Sequence, residues 1–159
     1  MRVGLGFDLH RLVPGRKFIL CGMEIPCEVG PLGHSDADVA LHALTDAILG
    51  AAGLPDLGSL FPETDPRFAG AESSLFLQKA LEMISEKGLA LYQVDLVLLL
   101  DQPKLRPHYP ALRRRLADLL GIPEGRIGLK AKSTEGLGVF GGEAVAAWAV
   151  AVLAEVHGA

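Results

Sequence analysis

The sequence is poor in cysteine, in aromatic residues and in long apolar runs, and it carries no excess of positive charge. Two cysteines, Cys21 and Cys27, are too few for the disulfide framework of a small secreted domain. Both are expected to be reduced core residues. The longest apolar run, Ala144 to Ala154, is eleven residues and stops at Glu155, short of the ~18–20 needed to cross a bilayer. Met1-Arg2-Val3-Gly4 leads directly into a strand pattern, without the apolar core of a signal peptide. Lysine and arginine number 15 against 19 aspartates and glutamates, a formal charge of −4, which argues against a nucleic-acid coat or a polybasic membrane anchor. No repeat or low-complexity segment is visible. The expectation is a cytoplasmic protein with neither membrane nor nucleic-acid partners.

What the chain has in abundance is apolar and punctuating residues. Half of its 159 residues are hydrophobic, with 19 glycines and 10 prolines, and the mean hydropathy is +0.33. That length makes one domain, 1–159, with a core of its own. So much apolar surface is hard to hide in one small domain, so a subunit interface is expected as a second place of burial.

The pattern predicts a strand over 2–10, a short hairpin around Gly22 within 17–29, and a Gly/Pro loop from Gly30 to His34. Ser35, with Asp38 three residues on, reads as the cap of a helix that ends at Gly53. From Gly53 to Gly70 no periodicity is visible, and connections of that length are usually functional. A helix over 72–87, a strand from Leu91 to Leu100 buried on both faces, a basic helix near 109–120 and a strand from Arg126 to Thr134 follow. Residues 143–156 fit either a helix or a doubly covered strand.

Asp8 and His10 stand at i and i+2 of the first strand and so share a face. Carboxylate oxygen and imidazole nitrogen are both zinc donors. On the following helix Asp38, His42 and Asp46 form an i, i+4, i+8 stripe. The rest of that helix is apolar and lacks Lys, Glu or Gln, so its polar stripe is expected to face something specific. Asp8, His10 and His42 make a three-ligand set that leaves a tetrahedral ion one open position, the pattern of a working site. Asp46 is placed to accept the second imidazole N–H of His42. His108 and His157 have no such company and read as incidental.

Elements suited to phosphate are scattered along the chain. His34 and Ser35 precede a helix start, where free amides favour an anion. Lys104 and Arg106 follow a strand, and Lys130 and Lys132 share a strand face just before Ser133, Thr134 and Glu135. Such a group suits phosphate oxygens and a hard cation such as Mg²⁺. Arg113, Arg114 and Arg115 read as a solvated helix face. Asp56, Gly58 and Asp65 lie in the long connection and suit a sugar hydroxyl, although turn and capping chemistry explains them equally well.

The blocks Gly-Phe-Asp8-Leu-His10-Arg, His34-Ser-Asp-Ala-Asp-Val-Ala-Leu-His42-Ala-Leu-Thr-Asp46, Asp56-Leu-Gly58, Phe61-Pro-Glu-Thr-Asp65-Pro and Lys130-Ala-Lys-Ser-Thr134-Glu135 resemble, in order and register, the 2-C-methyl-D-erythritol 2,4-cyclodiphosphate synthase family. The resemblance implies conversion of 4-diphosphocytidyl-2-C-methyl-D-erythritol 2-phosphate to the cyclic diphosphate and CMP, in the non-mevalonate isoprenoid pathway. It implies Zn²⁺ on Asp8, His10 and His42, and a second divalent cation, Mg²⁺ or Mn²⁺, on Glu135. His34 and Ser35 correspond to a phosphate-touching segment, with Asp56, Gly58, Phe61 and Asp65 as further substrate contacts. Leu100 through Arg106, including Lys104, corresponds to a cytosine pocket supplied by a neighbouring subunit, with Ser133 and Thr134 in its second wall, and Lys132 and Glu135 are further substrate-binding residues. His34, Thr134 and Glu135 are the residues expected to act on the reacting phosphates. The implied fold is a single α/β (α+β) domain, a two-layer sandwich whose mixed sheet is covered on one side by helices, assembling as a homotrimer. Two departures stand out: Lys132-Ser-Thr-Glu135-Gly136 where the family shows Thr-Thr-Thr-Glu-Lys, and a shorter block at 138–144 without the family's arginine. Rival readings are a zinc-dependent phosphohydrolase, or a non-catalytic protein whose structural zinc would draw on Cys21 and Cys27.

Overall fold

A computed structural model describes residues 1–137 and 143–156. It consists of a mixed five-stranded sheet with helices against one face. In chain order the elements are β1 (Arg2–Pro14), β2 (Phe18–Leu20), β3 (Met23–Ile25), β4 (Val29–Pro31), α1 (Val39–Ala51), α2 (Leu57–Leu60), α3 (Ser73–Glu86), β5 (Leu89–Leu99), α4 (Tyr109–Leu120), β6 (Ile127–Lys132) and β7 (Ala144–Glu155). The sheet order is β4-β1-β7-β5-β6. β7 is antiparallel to both β1 and β5, and among the described residues only β5 and β6 run parallel. β2 and β3 form a separate two-stranded hairpin.

Alternation along β1 sorts its residues by face. Gly4, Gly6, Asp8, His10 and Leu12 point toward α1, while Val3, Leu5, Phe7 and Leu9 point away. A side chain at Gly4 or Gly6 would overlap the Ala47 or Ala43 carbonyl of α1. Bare strand backbone therefore meets alanine-rich helix, and α1 lies closer to the sheet than larger side chains would permit. The core fills around this contact with Leu41, Leu44, Ile48, Leu77, Leu96 and Leu98, all fully buried.

Several boundaries differ from expectation. α1 begins at Val39, and its cap is Asp38 rather than Ser35. The Asp38 carboxylate accepts from Leu41 N–H at 3.0 Å and from the Cys21 and Gly22 amides at 3.0 and 2.7 Å. It leaves the polar stripe and ties the β2–β3 hairpin to the helix start. Burial pushes its carboxyl up to about 6, against the pull of the Gly22 and Leu41 amides. Val29–Pro31 is an edge strand on β1, not loop. β5 is covered on one face only, because among the described residues no helix packs on the opposite sheet face. Residues 144–155 are a strand, held on both sides by ladders that override alanine's helix propensity. The glycine-rich block at 138–142 and His157 lie outside the described residues.

Gly6→Ala is expected to lower the urea-unfolding free energy by about 1–3 kcal/mol through overpacking. Gly50→Ala, in the exposed part of α1 with open space around it, should instead stabilise by about 0.5–1 kcal/mol. Equal effects would remove the close approach as the reason for Gly6.

Candidate metal centre

The approach of α1 to β1 sets His42 directly over Asp8 and His10. Asp8 Oδ2 lies 2.8 Å from His10 Nε2 and 3.0 Å from His42 Nδ1, and the two nitrogens are 3.3 Å apart. These are the separations expected along the edges of a tetrahedron with ~2.0 Å bonds, roughly 3.3 Å. His10 Nδ1 lies 2.9 Å from the Leu32 carbonyl, which only accepts, so that nitrogen carries a proton. Nε2 therefore faces the carboxylate with either a second proton or a bound cation between them. Burial pushes the Asp8 carboxyl up, but hydrogen bonds from His10 and His42 outweigh it and leave Asp8 below the usual carboxylate range. Burial likewise lowers His10, and the Asp8 partnership more than reverses that. Two imidazoles and one carboxylate, converging and part-buried, fit a divalent ion with an open position.

These three residues form the floor of a cavity of about 350 Å³, also lined by His34, Ser35, Asp46, Asp56, Gly58 and Phe61. Phe61, Phe68 and Phe76 pack into one apolar wall, with centroids 4.7–5.7 Å apart and Phe68 edge-on to the other two rings. Asp56 caps α2 by accepting from Ser59 N–H at 2.8 Å, and hydrogen bonds from Ser59 hold its carboxyl below the usual range.

A family comparison decides what such a floor belongs to: the YgbB family matches residues 1–154. The chain belongs to the YgbB family. A 2-C-methyl-D-erythritol 2,4-cyclodiphosphate synthase of Thermus thermophilus is 56% identical over 137 residues, spanning 86% of this chain and 90% of the relative. The synthase of Gloeobacter violaceus is 52% identical over 98% of this chain and 96% of its own length. A solved 2C-methyl-D-erythritol-2,4-cyclodiphosphate synthase in a CDP-bound form is 50% identical, with a TM-score of 0.91, covering 96% of this chain and all of that one.

Within this YgbB-family chain the expected residues fall into two groups. Leu100, Lys104, Arg106, Lys132 and Ser133 line a second cavity that shares no residue with the first. Thr134 sits beside that cavity, with its amide and hydroxyl donating to Asp101 at 2.9 and 2.6 Å. Those two bonds hold the Asp101 carboxyl below its usual range and leave Thr134 only lone pairs to offer a ligand. Ser133 donates to Glu135 at 2.6 Å, and Glu135 adopts φ +54°, a left-handed turn uncommon for a side-chain-bearing residue. Lys130 is paired with Asp95.

Asp65 is not among the lining residues of the first cavity. Its carboxylate is engaged by Arg67, at 2.6 Å from Nη2, and caps the turn at Pro66. Asp46 does line that cavity but accepts from Leu57 N–H at 2.7 Å, so it does not orient His42 as expected. The second nitrogen of His42 faces Ser73 Oγ at 2.8 Å and Ser35 Oγ at 3.3 Å. Sequence reasoning missed Ser73, because a serine at a helix start is ordinarily a cap.

His42→Ala is expected to abolish stoichiometric zinc or cobalt(II) uptake, with the far-UV circular dichroism unchanged. Undiminished uptake would remove His42 from the donor set.

Proposed function

We propose that this chain catalyses the cyclisation of 4-diphosphocytidyl-2-C-methyl-D-erythritol 2-phosphate to 2-C-methyl-D-erythritol 2,4-cyclodiphosphate with release of CMP. The three-donor cluster at the floor of the first cavity is the observation that carries this reading. A zinc ion bound by Asp8, His10 and His42 would supply Lewis-acid polarisation of a phosphoryl oxygen. A second divalent ion, Mg²⁺ or Mn²⁺, fits the Glu135 carboxylate, since such ions commonly take one carboxylate together with substrate phosphates.

An oxygen of the 2-phosphate bonds to the β-phosphorus, and the bond from that phosphorus to the bridging oxygen breaks. The oxygen leaves with CMP. The attacking phosphate is already anionic near neutral pH, so the protein's task is positioning and charge neutralisation. His34 and Ser35 border the phosphates, Asp56 and Gly58 the sugar hydroxyls, and Phe61 supplies an apolar wall. Asp65 steadies the loop through Arg67 and turns to the substrate only if that pair opens. Leu100, Lys104, Arg106 and Lys132 take the cytidine side. Thr134, anchored on Asp101, sets the turn that projects Glu135 toward the leaving group.

The working form is a cytoplasmic homotrimer with active sites between neighbours. Two observations support this assembly. The metal-side and cytidine-side residues line different cavities of one chain, so a neighbour's second cavity can complete the first. The uncovered sheet face exposes Val3 and Leu5 at 68% and 69%, beside Phe7 and Leu9, a contiguous apolar stripe of the kind that closed symmetric assemblies bury.

Phosphorus NMR with the diphosphocytidyl substrate and divalent metal should show CMP and a cyclic diphosphate appearing together. CMP with an acyclic phosphate would favour a phosphohydrolase instead. In sedimentation, the protein should run as three copies and Leu5→Lys as one, with turnover lost in the variant. A fully active monomeric parent would overturn the shared site.

A further inference from the structure

Each imidazole of the metal centre has a second nitrogen, and what holds it decides which nitrogen faces the cavity floor. For His10 the holder is the Leu32 carbonyl. For His42 it is Ser73, the first residue of α3, which is wholly inaccessible to solvent. Ser73 Oγ donates a hydrogen bond to Asp36 Oδ1, and the Ser73 amide donates to Asp36 Oδ2 at 3.0 Å. Asp36 is fixed in turn, since its own amide donates to the Ala71 carbonyl at 3.0 Å.

The direction of donation follows from the chemistry of the three groups. A carboxylate only accepts, so the Ser73 hydroxyl gives its single proton to Asp36. What remains on Oγ toward His42 is a lone pair, and Nε2 at 2.8 Å must therefore carry the proton. The neutral ring then has its lone pair on Nδ1, the atom that lies 3.0 Å from Asp8 Oδ2 and 3.3 Å from His10 Nε2. We propose that Ser73, held by Asp36, is a positioning residue that sets the tautomer and orientation of His42 and so presents Nδ1 to the divalent cation. The proposal rests on the metal reading of the Asp8–His10–His42 cluster. It assigns Asp36 and Ser73 a task distinct from that of the neighbouring Asp38 and Ser74. Asp38 caps α1, and Ser74 turns to Glu72 at 3.3 Å without reaching His42.

The test compares zinc affinity, by chelator competition, in the parent, Ser73→Ala, Asp36→Asn and Ser74→Ala, together with nitrogen-15 spectra of the zinc-loaded His42 ring. Ser73→Ala should weaken zinc binding about 10–100-fold and lose the exchange-protected Nε2–H signal. Asp36→Asn should weaken it less, and Ser74→Ala should match the parent. If Ser73→Ala binds zinc within about two-fold of the parent, the relay is wrong while the metal reading stands. If the parent itself takes up no zinc, both fall. Should Ser73→Ala fail to fold, the parent spectrum decides alone: an Nε2–H that exchanges freely with water overturns the relay.

Discussion

The closeness of α1 to β1 is the constraint on which the rest of the structure depends. Gly4 and Gly6 on the strand face Ala43 and Ala47 on the helix, backbone nearly against backbone. Glycine within a strand costs roughly 0.5–1 kcal/mol relative to alanine, and the dense packing it permits offsets that cost. The same geometry carries the chemistry: one strand step beyond Gly6 on the same face is Asp8, and His42 precedes Ala43. A helix held further from the strand would take Nδ1 of His42 out of reach of Asp8.

Two carboxylates, the buried Asp38 and the half-buried Asp36, then fix the segment that leads into the helix. Asp38 gathers amides from the β2–β3 hairpin and from the first turn of α1, while Asp36 fastens the same segment to the start of α3. From the other side Arg16 donates to the carbonyls of Pro31, Gly33 and Ser35 at 3.0–3.4 Å. His34 and Ser35 thus sit on a strand-to-helix passage whose backbone is held at both ends. The opposite bank of the cavity is faced differently, by the rings of Phe61, Phe68 and Phe76, with Phe68 edge-on to the other two. One wall is polar, and the other presents an apolar face while its backbone is capped by Asp56 and Asp65 and tied to α1 through Asp46.

Much of this was legible in the residues. The i, i+2 spacing of Asp8 and His10 and the buried, cation-free helix around His42 carried the metal centre, because strand and helix periods translate directly into facing directions. The mixed sheet with helices on one side followed from the family resemblance. What stayed hidden was the choice among similar polar groups at close spacing. Ser35, Asp36 and Asp38 all suit a helix start, and only the tertiary positions of Cys21 and Ser73 decide which one caps. Asp46 has the right spacing to serve His42 but is taken by the Leu57 amide, a partner eleven residues away. The tail over 143–156 had helix-forming alanines and strand-forming valines, and it became a strand because two neighbours supplied its backbone partners.

That tail has a consequence for how the molecule comes into being. β7 lies in the middle of the sheet, between β1 and β5, yet it follows both in the chain. On the ribosome, the first strand must wait, its inner edge unpaired, until nearly every other element has been made. Partners so distant in sequence bring a large loop-closure cost to the folding barrier. The domain is therefore expected to acquire its structure late and all at once, with an apolar strand edge exposed to chaperones throughout synthesis.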